Sequence, residues 1–162
     1  MSDATQTSFV ESFEELGARE TYLATGHEDA VERVREAFTD AGFGLPTEFS
    51  PSENIHEHTG ERLPPTRVIG IGNPHAGKLV AEETAGDAAT LFPCNVVVQQ
   101  VAEGRQRVYH VSLPKVLERV GLAPDAPEES ATWQEAVSIA GEGVAEAFES
   151  LEASEVAAHA AD

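Results

Sequence analysis

The stretch 91–111 constrains this chain most. Residues 91–101 form its longest strand pattern, and Val96, Val97 and Val98 in succession predict a strand buried on both faces. Glu103-Gly104 supplies a turn and residues 106–111 a partner strand, so the stretch reads as a β-hairpin. A hairpin is antiparallel, which favours an α+β fold over a regularly alternating, doubly wound one.

Helix signals punctuate the rest. Thr25-Gly-His-Glu28 has the form of a capping box. Beyond it Val31, Val34, Phe38 and Ala41 recur at helical spacing up to Gly42, a residue suited to the left-handed turn past a helix end. Ser50-Pro-Ser-Glu53 repeats the start signal and predicts a short helix that stops at Gly60. Asn73-Pro74 opens a third helix, over 74–83, and a fourth around 114–120 ends at Gly121. After a linker at 122–129 containing two prolines, a long helix starts at Ser130, with Trp133, Ala136, Val137, Ala140, Val144, Ala147, Phe148 and Leu151 on one stripe. Residues 19–25, 43–49 and 66–72 read as strands, and Pro46 marks the second as an edge or a bulge.

The order β-α-β-α-β-α-β-β-α-α predicts a single twisted, mostly antiparallel sheet packed against helices, in one domain over 19–151. Residues 1–18 are expected to form a partly disordered extension in which Phe9, Val10, Phe13 and Leu16 have the spacing to dock a short helix. Residues 152–162 are expected to fray.

Charge bounds the partners. The 162 residues carry 29 acidic and 10 basic side chains, a formal net charge of −19. Only Lys78 and Lys115 are lysines. Carboxylates spread along a whole chain repel one another unless salt screens them, and the Debye length falls from about 10 Å at 0.1 M to about 3 Å at 1 M. The composition therefore fits a halophilic protein of a high-salt cytoplasm. It argues against nucleic-acid binding, which needs clustered cations, and against an anionic membrane surface. No apolar run has the length of a membrane-spanning helix. The single cysteine, Cys94, excludes an intrachain disulfide and suits a reducing compartment.

Three groups of residues have chemistry to weigh. Gly72 to Lys78 has the glycine and lysine spacing of a phosphate-binding loop. Leu79 stands where a magnesium-binding hydroxyl is needed, and Pro74 removes an amide from the cradle. The stretch therefore reads as a helix start, with anion binding at its N-terminus as the weaker alternative. Cys94 is a candidate catalytic nucleophile or redox thiol if a cation, a histidine or a helix N-terminus lowers its pKa; otherwise it is a small buried hydrophobe. His56 and His58 point apart on a helix, so no metal site is expected from them. If strands 66–72 and 91–101 are antiparallel neighbours, Asn73, His75, Cys94 and Asn95 cluster at one end of the sheet as a candidate ligand-binding site.

Several stretches carry a family resemblance. Val31-Glu-Arg-Val-Arg-Glu-Ala-Phe38 with Gly42-Phe-Gly44, then Val68-Ile-Gly-Ile-Gly-Asn-Pro74 and Leu91-Phe-Pro-Cys-Asn-Val-Val-Val98, resemble the family catalogued as domain of unknown function 302, over about residues 19–120. The resemblance implies a TATA-binding-protein-like α+β fold, commonly homodimeric, and implies no DNA binding. Gly72 stands where the family often has a cysteine, which weakens any two-thiol redox or metal site here. The expected function is a homodimeric small-ligand or anion-binding module, in sulfur, redox or metal physiology, with cofactor unknown. The alternatives are an enzyme using Cys94 and a structural or adaptor dimer without catalysis.

Overall fold

The computed structural model of the protein describes residues 13–160. Five strands form one antiparallel sheet: β1 (Arg19–Leu23), β2 (Gly44–Phe49), β3 (Thr66–Gly72), β4 (Cys94–Ala102) and β5 (Arg105–His110). Their order across the sheet is β1-β5-β4-β3-β2, so the hairpin strand β4 is central and β1 and β2 are the edges. Five helices accompany them: α1 (His27–Asp40), α2 (Pro51–Thr59), α3 (Pro74–Glu83), α4 (Leu113–Val120) and α5 (Ala131–Ala160). The α+β class and the element order are those expected, with short 3-10 turns added at Glu14–Leu16, Asp87–Leu91 and Pro127–Glu129.

Most boundaries follow the local signals. Ser50 Oγ accepts from the Glu53 amide, and Gly60 closes α2 with φ of 75°. Pro46 lies in an edge strand at a break in register between Gly44 and Thr47, where its missing N–H leaves no ladder bond unmade. The capping box at Thr25 is not formed. Gly26 is the N-cap of α1 and no side chain caps it. The Thr25 carbonyl instead accepts from buried Gln106 Nε2 at 3.2 Å. Strand β4 begins at Cys94 rather than residue 91, because 87–91 is wound into the 3-10 turn.

One face of the sheet is covered by α1 and α5. Val96 and Val98 are fully buried there, with Ile69, Leu23 and Val108 beside them. Val97 points to the opposite face and is half-buried, so the expected double burial is met on one face only. Tyr22, Phe49 and Val101 are exposed on that opposite face.

The 30 residues of α5 span about 45 Å at 1.5 Å per residue. Its first turns pack Trp133 and Ala136 against Val80, Ala88 and Leu117. Its later turns pack Val144, Ala147, Phe148 and Leu151 into the sheet core. The helix runs on to Ala160, through the segment expected to fray. There Glu155 accepts from the Ala24 amide at 3.1 Å and pairs with Arg33 at 2.7 Å. The expected docking of Phe9 and Val10 lies outside the described residues. Phe13 is exposed, and Leu16 is tied by its carbonyl to the Ser112 amide at 2.8 Å.

Candidate functional site: a cavity at the end of the sheet

The pairing of β3 with β4 puts Ile71 opposite Cys94 and Gly70 opposite Asn95. The end of β3 therefore lies beside the start of β4. Beyond that end is a cavity of about 770 Å³, bounded by the strand ends, the first turn of α3, the start of α4 and the middle of α5.

Asn73 and Cys94 both line this cavity; His75 and Asn95 do not. His75 is exposed on the first turn of α3, and Asn95 is exposed on the other face of the sheet. Asn73 Oδ1 accepts from the His75 and Ala76 amides at 2.9 and 3.2 Å, and its carbonyl accepts from Gly77 at 2.8 Å. Pro74 has no N–H. The first turn of α3 therefore has no amide left over for an anion, and Lys78 is turned to Glu82 at 2.9 Å.

Cys94 and His110 adjoin on the covered face. His110 Nδ1 lies 2.9 Å from the Asn95 carbonyl and 3.7 Å from Cys94 Sγ. A carbonyl only accepts, so Nδ1 carries the ring proton and cannot take one from the thiol. Burial pushes the His110 pKa down to about 4, against the opposing effect of the Asn95 bond, so the ring is neutral near pH 7. Burial likewise pushes the Cys94 thiol up to about 11, against smaller opposing effects from backbone groups of Leu113 and Asn95. The residue is partly exposed, but its sulfur is packed in and its S–H faces the Val111 carbonyl at 3.5 Å. A protonated thiol beside a neutral imidazole is a poor nucleophile.

Two close approaches shape the wall. A Cβ on Gly70 would stand 2.1 Å from Thr47 Oγ1 and 2.7 Å from Pro93, so only glycine lets β2 and the start of β4 close over β3 here. A Cβ on Gly143 would stand 2.8 Å from the Phe43 ring, so this glycine lets α5 settle on that ring. Between the two core clusters α5 presents Val137, Ala140, Gly141 and Val144 to the cavity. These small side chains leave the space unfilled.

The candidate set read from the sequence contains none of Arg19, His110, Ser112 and Lys115, nor the α5 residues that line the cavity. They come from distant segments, and the one local signal was glycine inside a helix pattern, which costs about 1 kcal/mol relative to alanine and so points to a packing reason. No group of three or more His, Cys, Asp or Glu is arranged to hold a metal among the described residues. No helix among them is long and apolar enough to cross a membrane.

No curated protein matches this chain. A crystal structure of an uncharacterized conserved DUF302 protein from Bacillus stearothermophilus superposes with a TM-score of 0.67 at 19% identity, covering 83% of this chain and 97% of that one. That likeness carries the fold. The profile described as Domain of unknown function DUF302 matches residues 19–140. The sheet, α1 to α4 and the strand-end motifs around Asn73 and Cys94 all fall within that span, and the chain belongs to the DUF302 family.

Proposed function

We propose that this protein is a small-ligand-binding module, working as a homodimer in a high-salt cytoplasm, and not an enzyme. The cavity carries the reading. Its volume of about 770 Å³ lies within the range of roughly 300–1,000 Å³ usual for small-molecule sites, and its walls are mostly apolar with a few polar groups among them. The space is a cleft open to solvent between two packed clusters, the form that small-molecule sites commonly take. The rival reading, catalysis by Cys94, loses support from the protonated thiol and from a histidine whose nearer nitrogen already holds its proton.

Dimerisation is supported by the uncovered sheet face, where Tyr22, Phe49 and Val101 are exposed and Val97 is half-buried. The high-salt setting is supported by the net charge of −19, and a reducing cytoplasm by the single, free cysteine. Native mass spectrometry of protein from its own host tests the ligand reading. Wild type is expected to carry a bound small molecule that is reduced or lost in Ala140→Phe, which puts a ring into the cavity from α5. Ligand-free protein in both would overturn the reading. Sedimentation and melting between 0.1 and 1 M salt test the rest: a dimer that Val97→Asp dissociates, and a melting temperature that climbs with salt. A monomer throughout, or a flat melting temperature, would remove the corresponding part.

A further inference from the structure

The charge around the cavity says which ligands suit it. The chain has 29 acidic residues, yet none of the described residues lining the cavity is acidic. Of its 10 basic residues, Arg19 and Lys115 do line it. Arg19 stands opposite His110 in the β1–β5 pairing, and its positive charge is felt at the imidazole. Among the described residues Arg19 has no carboxylate partner. Lys115 Cγ stands 3.7 Å from the position of a Cβ on Gly17, two residues before Arg19, and all three residues line the cavity, so the stems of the two cationic side chains start from the same stretch of wall.

Lys115 has a loose partner in Glu118, at 3.7 Å, whose other oxygen accepts from Trp133 Nε1 at 2.9 Å. Glu152 lies with Arg19 on a shallower groove outside the cavity. Neither carboxylate belongs to the cavity wall. Opposite this corner the wall is apolar, formed by Phe43, Ile71, Val80, Val137 and Val144.

We propose that the cavity takes an amphipathic anion: a small molecule with an apolar body against α3 and α5 and one acidic group, such as a carboxylate, phosphate or sulfonate, between Arg19 and Lys115. The inference rests on the ligand-binding reading above and adds the ligand's charge and its direction. The helix start at Asn73, whose amides are already bonded, takes no part in holding the acid. Its Asn73 side-chain NH2 has no partner among the described residues and is available to a polar atom on the ligand's far end.

Two fluorescent probes with the same apolar frame separate these points: 8-anilinonaphthalene-1-sulfonate and its neutral parent, N-phenyl-1-naphthylamine. Both are titrated into the full chain at one high salt concentration. The sulfonate is expected to bind about tenfold tighter, the size of one charge-assisted hydrogen bond, despite the protein's negative charge. Ala140→Phe, which narrows the cavity from α5, should weaken both signals. The double variant Arg19→Gln, Lys115→Gln should remove the preference and leave the neutral probe's affinity unchanged. Equal binding of both probes by wild type would overturn the anion assignment and leave the cavity reading standing. Binding of neither would overturn both. Binding that appears only after deletion of residues 1–12 would assign the cavity to the chain's own N-terminus and overturn the proposal.

Discussion

The covered face of the sheet has two ends, and they are built differently. At one end α1 lies on the strands and fills the space. Ala30, Val31, Val34 and Phe38 are buried against Leu23, Ile69 and Val98, and the Phe38 ring meets those of Phe43 and Phe148 at 5.5 and 6.1 Å. At the other end α3 and α5 bridge the strand ends without filling the space, and a cavity of about 770 Å³ remains. The same sheet and the same helix α5 serve both ends. What differs is side-chain size along α5: Phe148 and Leu151 at the closed end, Ala140 and Gly141 at the open one. Close packing on the sheet is therefore concentrated at one end, and open space lies at the other, before the second cluster around Trp133.

The largest expected effect contrasts truncations at the two ends. Phe38→Ala should cost about 3–5 kcal/mol, because the ring is fully buried and its neighbours cannot all collapse into the space. Val144→Ala should cost about 1 kcal/mol, because its side chain borders a void and gives up fewer contacts. Urea denaturation of the two variants checks the contrast, and equal losses would break it.

The second prediction concerns acid. His110 borders the cavity yet is buried, with its pKa depressed to about 4 from the usual 6.5. Below pH 6.5 the unfolded chain takes up a proton that the folded one refuses. Stability is thus lost as pH falls from about 6.5 to about 4, by something on the order of 3 kcal/mol for this group. Protonation of the many carboxylates acts over an overlapping range, so the measurement is the difference between wild type and His110→Asn across pH 7 to 4. Parallel curves would show that the imidazole is not buried as the structure has it.

The smallest effect should come from adding volume. Ala30→Leu at the closed end overpacks a filled site and should cost about 1–3 kcal/mol. Ala140→Leu grows into the cavity and should change stability by less than about 1 kcal/mol, in either direction. If Ala140→Leu costs as much as Ala30→Leu by thermal melting, the space at α5 is not available to a side chain, and so not to a ligand.

Much of the fold was legible because its signals are local. Ser50-Pro51 and Asn73-Pro74 each satisfy the orphan amides of the next few residues, and Gly60 and Gly121 each take a positive φ at a helix end. Those interactions involve side chains a few positions apart, so the sequence states them directly. Thr25 misled because the helix starts one residue later: Gly26 is the N-cap and its carbonyl takes the first helical bond from Ala30, while the Thr25 carbonyl accepts from Gln106, 81 positions away, a bond that no local pattern reports.

The candidate site divides the same way. Asn73 and Cys94 were found because each carries a recognisable signal at a strand end, but the antiparallel pairing that brings them to the same end was left open by the sequence, since a helix between two strands also suits parallel pairing, and only the structure decides it. Arg19, His110 and Lys115 were not found, because nothing near them in the chain marks them. They meet because β1 pairs with β5 across 91 positions at Arg19 and His110, and because α4 starts where β5 ends. By itself the sequence determined the elements, the sheet's hairpin and the acidic surface, all consequences of interactions between near neighbours or of composition. The tertiary structure alone decided that α5 passes the strand ends on its smallest side chains, since that depends on where a 30-residue helix lies on the sheet. It also decided that burial holds the Cys94 thiol protonated, since desolvation is a property of everything packed around a group and of no single stretch of chain.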